Sequence, residues 1–273
     1  IPGDERNTTI DQTFVPLATV SLPATTKEYG TWKKRLRDQL RRVSFGWIPR
    51  TIRPAPVKQT KPPVLYLETE PGITITARQY PTTATKTTQP KRLVLLVRTK
   101  DASVVAPDWI KSHLQPGDQL YDCQTRGTGS TRWTQKNPPN YVERSHVLLG
   151  HTVDAGRVRD VIATAQYFHS RFKGRVPIHL AGEGAGAVIA AYATLLDSDI
   201  QGTTLHRPYR SHMEAGAPQL LNVLRVCDIP HVLGMIAPRS LTITGVEASA
   251  FTDVRRLYQA ANATGQLKLL DRE

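Results

Sequence analysis

The stretch HLAGEGAGAVIAAYATLL, residues 179–196, decides how the rest of the chain is read. Ile178 and Leu180 belong to a short apolar strand, Gly182-Glu183-Gly184-Ala185-Gly186 follows, and then comes an Ala-rich run of helical character. Strand, sharp turn and helix in that order is the layout of the Gly-x-Ser-x-Gly turn, in which a strained backbone presents a serine hydroxyl. The serine's place is held here by Gly184. The glycines that permit the turn are kept, and the side chain that attacks is not.

Outward from this stretch the strands and helices alternate. VLYLET (64–69) and ITITARQY (73–80) alternate apolar and polar residues around Pro71-Gly72, which predicts a hairpin. LVLLV (93–97) is a continuous apolar run of strand length, as expected of a strand buried on both faces of a parallel sheet. A short helix over 108–114 and a strand over 119–123 come next, then a loop over 124–145. The clearest helix spans 152–172, with Val158, Val161, Ile162, Ala165 and Phe168 or His169 on one stripe. Strands are expected at 178–181, 202–206 and 240–244, and helices at 185–196, 220–226 and 254–261. This order predicts an α/β fold: a mostly parallel central sheet with helices on both faces, preceded by an antiparallel hairpin and an N-terminal extension.

The extension, residues 1–63, is expected to form a unit apart from the α/β domain of 64–273. Residues 1–26 are polar and aperiodic and read as a strap, and Pro49, Pro54, Pro56, Pro62 and Pro63 predict an extended connector without regular structure. Between them Trp32, Leu36, Leu40 and Val43 recur at helical spacing over 31–45, with basic residues on the other side. The net charge of +13 is concentrated here: residues 27–61 carry eleven Lys and Arg against Glu28 and Asp38. A basic amphipathic helix of this kind suits docking on an acidic domain or polymer. No stacking platform or helix-turn-helix pattern accompanies it, so specific nucleic-acid binding is not expected.

At 273 residues and 39% hydrophobic content the chain can bury a full core. No apolar run approaches membrane-spanning length, and no leader is visible. The chain begins at Ile1 rather than Met, which reads as a processed product or a piece of a longer protein; the compartment stays open, with export or a periplasmic place following if a leader precedes it. Cys123 and Cys227 are too few for a disulfide framework and lack metal-ligand spacing, so both are expected in the core. No metal or cofactor is expected.

The loop Gln124-Thr125-Arg126-Gly127-Thr128-Gly129-Ser130, the helix after it and the turn at 182–186 together resemble the α/β-hydrolase superfamily. The prolyl-oligopeptidase and acetyl xylan esterase branches carry an Asp-x-Arg-Gly-x-Gly-x-Ser loop in this place; Gln124 stands where they have Asp. The phrases RGTGSTRWT, NYVERSHVLLGHTVDAGRVRDV and GAPQLLNVLRVCDIPHVLGMIAPRSLTI, with the opening IPGDERNTTIDQTFV, resemble more narrowly the second, degenerate half of large bacterial tandem proteins related to acetyl xylan esterases. The likeness covers most of 64–262.

That resemblance implies a nucleophile, an oxyanion loop, an acid and a histidine, and each departs from the pattern here. Gly184 replaces the serine. The loop after 93–97 reads Arg98-Thr99-Lys100-Asp101 instead of beginning His-Gly. The acid's place after 240–244 holds Gly245-Val246-Glu247, so Glu247 is a shifted stand-in, and the histidine, which in the family follows one more strand, is not found in the closing residues Leu267-Lys268-Leu269-Leu270-Asp271-Arg272-Glu273. A Ser-His-Asp mechanism within this chain is therefore not expected. The expected role is a pseudo-hydrolase domain that stabilises a catalytic hydrolase domain or subunit, or that binds polysaccharide. The alternative is an active carbohydrate or acyl esterase with a non-standard or partner-supplied site. Ligand-binding candidates are Glu183 beside the turn, His206, Arg207 and His212 in LHRPYRSHMEAG near the mouth of the sheet, and Arg126, expected to be buried against a carboxylate. His146 and His151 are expected to be structural.

Overall fold

A computed structural model describes residues 2–6, 17–81, 89–100, 105–133 and 141–271. Nine strands form one sheet in the order β1-β2-β3-β5-β4-β6-β7-β8-β9. They are β1 (Val57–Lys61), β2 (Val64–Glu70), β3 (Ile73–Gln79), β4 (Arg92–Arg98), β5 (Asp118–Gln124), β6 (Ile178–Glu183), β7 (Ile200–His206), β8 (Ser240–Thr244) and β9 (Leu267–Leu270). The pairs β1–β2, β2–β3 and β3–β5 are antiparallel, and every pair from β5 to β9 is parallel. The predicted hairpin is β2–β3, with Gly72 at φ +78° in its turn.

Seven helices accompany the sheet among the described residues: α1 (Thr26–Val43), α2 (Asp108–Lys111), α3 (Tyr141–Leu148), α4 (Val153–Arg171), α5 (Ala185–Leu196), α6 (Ile229–Gly234) and α7 (Thr252–Ala260). Their starts follow capping chemistry. Thr25 caps α1 by accepting from the Glu28 N–H, Thr152 caps α4 through the Ala155 N–H, and Asp228 with His231 closes a capping box on α6. None of the described helices is long and apolar enough to cross a membrane.

The two faces of the sheet are covered unequally. Leu93, Leu95 and Val97 of β4 point to the main core, which takes in side chains of α1, α4, α5, α6 and α7. Val94 and Leu96 point the other way, into a small cluster with Leu120, Ala181, Tyr80 and Ile110 of α2. Beyond Ala181 that second face turns polar: the register aligns Thr204 and Thr242 with Lys268, and His179 with Gly202 and Ser240. This explains why β7 and β8 alternate in sequence while β4 is continuously apolar.

The helix of the extension docks on its own domain. Tyr29, Trp32, Leu36 and Leu40 of α1 are buried in the main core, with Phe45, Ile48 and Ala55 from the chain that follows. The Tyr29 hydroxyl donates to the carbonyls of Gly234 and Ala237, both at 3.0 Å.

Three local expectations are corrected. The connector is not wholly irregular: VKQTK between Pro56 and Pro62 contains no proline and pairs with β2 as an edge strand. All five of its side chains are exposed, so no apolar alternation announces it; its lysines suit an open edge. Residues 220–226 form only a 3-10 turn, Val223–Arg225, because Asn222 enters the left-handed region at φ +58°. Leu220, Val223 and Val226 are buried on one side, which mimics helical period. The loop 124–145 contains a 3-10 turn, Gly129–Thr131, and the start of α3, which buries no residue and so shows no apolar stripe. Residues 82–88 of the Thr-rich loop expected at 82–89, and residues 1 and 7–16 of the 1–26 strap, lie outside the described residues.

Candidate functional site

The carboxyl ends of the parallel strands gather most of the candidates. The register sets Arg98 beside Gln124, Glu183 beside His206, and His206 beside Thr244. Between β6 and α5 the chain turns at Gly184, with φ +53° and ψ −117°, a conformation side-chain-bearing residues adopt only under strain. The Gly184 N–H donates to the His206 carbonyl at 3.0 Å, and its carbonyl accepts from the Val188 N–H at 3.3 Å.

The three glycines of this turn differ in what they make room for. A Cβ on Gly182 would lie 2.4 Å from the Gly186 carbonyl oxygen, and one on Gly186 would lie 2.5 Å from the Val97 carbonyl oxygen. Both therefore allow α5 to approach β6 and β4 at backbone distance. At Gly184 the nearest described atom to such a Cβ is Cε2 of Tyr209, at 3.9 Å. Among the described residues none crowds a Cβ at Gly184. The first N–H groups of α5 meet this opening and, as at any helix start, have no acceptor within the helix.

His206 forms the wall beside the turn. Its ring stacks on Trp109 of α2, with centroids 5.0 Å apart and 6° between planes, and Nδ1 lies 2.9 Å from the Thr244 hydroxyl. Burial lowers the affinity of its imidazole for a proton; Glu183 opposes this, and Arg207 and His113 reinforce it. Gly245, at φ +73°, lets both His206 and Arg207 close in, since a Cβ there would fall 2.7 Å from the imidazole Cε1 and 2.9 Å from the Arg207 Cγ. Glu183, Arg207 and Glu247 are exposed. Arg207 takes a left-handed backbone, φ +46°, and its N–H donates to the Thr244 carbonyl at 2.9 Å. Trp109 and Tyr209 were not among the sequence candidates: Trp109 lies seventy-five residues before Gly184, and Tyr209, though inside the quoted LHRPYRSHMEAG, is a lone aromatic residue without a spaced motif.

Two candidates are engaged elsewhere. Arg126 is buried and grips Asp160 of α4 with Nε at 3.0 Å and Nη2 at 2.8 Å, while its own N–H donates to the same carboxylate at 2.9 Å. Thr69 of β2 also donates to Asp160, and Glu70 lies 3.5 Å from the guanidinium. Arg126 thus clamps the loop after β5 onto β2 and α4, and Gly156 of α4 leaves the space in which its guanidinium lies. His212 bridges the Tyr192 hydroxyl and the Pro218 carbonyl, both at 2.8 Å, and its N–H donates to Asp228. Burial lowers its proton affinity, so it serves as a neutral connector between α5 and the loop before α6.

The two cysteines are core residues. Cys123 and Cys227 are buried free thiols, and burial pushes Cys227 up to about 12. His151 packs between Trp47 and His146.

Neither a protein-family model nor a curated protein sequence matches the chain. Solved structures do match its shape. An assigned acetyl xylan esterase from Bacteroides fragilis superimposes with a TM-score of 0.69 at 12% identity, over 99% of this chain and 84% of that one. A family 15 glucuronoyl esterase from Caldicellulosiruptor kristjansonii gives 0.58 at 12% identity, over 94% and 85%. An acetyl xylan esterase from Paenibacillus sp. R4 gives 0.53 at 14% identity, over 97% and 92%. At such identities the likeness speaks for fold. The strand order, the sharp turn at Gly184 and these neighbours together place the chain in the α/β-hydrolase fold.

Proposed function

We propose that this is a non-catalytic α/β-hydrolase-fold domain, retained for what its surface holds: a catalytic hydrolase domain or subunit, or a polysaccharide. The observation that carries the reading is Gly184. The turn that would expose a nucleophile has its strained geometry, and the space for a side chain is open, yet no hydroxyl or thiol stands there. The thiols that could substitute are buried and held in the neutral form. The carboxyl edge offers instead the stacked Trp109–His206 pair, Tyr209 and the exposed Glu183 and Arg207, residue types that hold a sugar by face and by hydrogen bond. The named activities of the structural neighbours, on acetylated xylan and glucuronoyl esters, favour carbohydrate as the ligand class.

Labelling with a fluorophosphonate probe tests the absence of a nucleophile; no adduct is expected, and a stoichiometric adduct overturns the reading. Affinity electrophoresis in gels containing xylan tests the binding role. Retardation that disappears in W109A supports carbohydrate binding at the carboxyl edge, and migration unchanged by xylan removes it.

A further inference from the structure

The end of α1 and the chain that folds back beneath it enclose a groove of about 770 Å³, lined by Arg35, Arg41, Arg42 and Arg50 with Gln39 and Asp38. It shares no residue with the carboxyl-edge site. Arg35 and Arg42 stand seven residues apart, two helical turns and about 10 Å along one face, and both are exposed. Arg50 arrives from the returning chain. Gly46 permits that return, since a Cβ there would sit 2.9 Å from the Arg42 carbonyl oxygen.

The charge in the groove is one-sided. The single carboxylate in its lining, Asp38, is already bound to Lys34 at 2.7 Å. Arg41 anchors one Nη2 on the Leu196 carbonyl at 2.7 Å; burial disfavours its charge, Arg37 and Arg50 crowd it with like charge, and Asp197 and Asp38 relieve this in part. The end of a helix contributes only about half a negative charge. Several guanidinium groups held together in a concave wall are the complement of a ligand carrying several anionic groups, and their planar forks match carboxylates. No exposed aromatic ring lines the groove, because Phe45 is buried, so it offers no platform for stacking bases. Gln39 adds an amide for hydroxyl groups.

We propose that this groove is a second ligand site, which binds a carboxylate-bearing polysaccharide; the choice of a polysaccharide over another polyanion rests on the carbohydrate-binding reading above. The test uses the whole chain in affinity electrophoresis and calorimetry with polygalacturonate, neutral arabinoxylan, oligo(dT) and poly-L-glutamate. The expected result is binding to polygalacturonate that weakens as salt rises and falls at least tenfold in R35E/R42E/R50E. Because these arginines are exposed, the variant should keep the circular dichroism spectrum of the parent. A triple R35Q/R42Q/R50Q variant with the same loss guards against a merely repulsive effect. Binding of oligo(dT) or poly-L-glutamate as tight as that of polygalacturonate would reduce the groove to an unspecific cation exchanger and overturn the proposal. Undiminished polygalacturonate binding in both triple variants, or none in the parent, would also overturn it. Ester hydrolysis by the chain would defeat the non-catalytic reading and leave this result standing.

Discussion

Gly186 lies so close to Val97 that a Cβ on it would be 2.5 Å from the Val97 carbonyl oxygen, whereas a Cβ on Gly184, two residues earlier, would touch nothing nearer than 3.9 Å. Packing and chemistry are thereby separable in one turn. Gly186→Ala is expected to push α5 off β4 and to cost about 1–3 kcal/mol or more, as overpacking in a core does. Gly184→Ala is expected to cost about 1–2 kcal/mol, from the positive φ alone. Urea denaturation of the two variants checks the order; a Gly184→Ala variant less stable than Gly186→Ala would contradict the geometry.

Gly184→Ser places a hydroxyl in the open position. It is expected to fold with a small loss of Tm and to gain no esterase activity, because a lone serine at ordinary pH is a weak nucleophile without a positioned base. Fluorophosphonate labelling of this variant measures the outcome directly. Rapid labelling would mean that His206, or another base, already stands within reach.

Arg126 and Asp160 are buried together, with side chains 7% and 0% exposed. Arg126→Ala leaves an uncompensated carboxylate in the core and is expected to cost about 3–5 kcal/mol. The same experiment on Lys34, whose ammonium meets Asp38 at the surface, should cost about 1 kcal/mol or less. Equal losses would show that Arg126 does not act as the clamp.

His179 supplies a pH signature. Burial first, then the charge of Arg92, lower its pKa from 6.5 to about 4, against an opposing effect of Asp118. The unfolded chain therefore binds the proton more tightly, and the stabilisation is fully present above about pH 6.5 and is lost as pH falls towards 4. A tenfold difference in proton affinity is about 1.4 kcal/mol, so, discounted for partial exposure, the loss is on the order of 2 kcal/mol. His179→Gln should flatten the fall of Tm over that interval. An unaltered pH profile would mean that His179 is hydrated and ordinary.

Both thiols should be silent in the native protein. Cys123 and Cys227 are buried, and the rise in their pKa leaves almost no thiolate at neutral pH. Ellman's reagent is expected to react with neither until denaturant is added, when both react. A fast-reacting native thiol would place one of them at the surface.

Much of this fold is legible in the residues because its signals are those of burial. The apolar run at 93–97 becomes β4, the hairpin turns at Gly72, and the stripe of 152–172 becomes α4. The buried partner expected for Arg126 is Asp160, thirty-four residues on, which spacing alone does not point to. What escaped reading carries no burial period: β1 exposes every side chain, and α3 buries none. The 220–226 segment misled for the opposite reason, since its buried residues share a side without sharing a helix. Of the wall of the candidate site, His206 was legible and its stacking partner Trp109 was not. Trp109 meets His206 across ninety-seven residues only because β4 and β7 end at the same edge of the sheet.

Without a side chain at Gly184, the turn is expected to perform no chemistry. Release of acetate from acetylated xylan by the purified chain, with the double variant E183Q/H206Q as control for contaminating esterases, tests it most directly. The account predicts rates equal to buffer for both proteins. Sustained release by the parent that is lost in the double variant would contradict it.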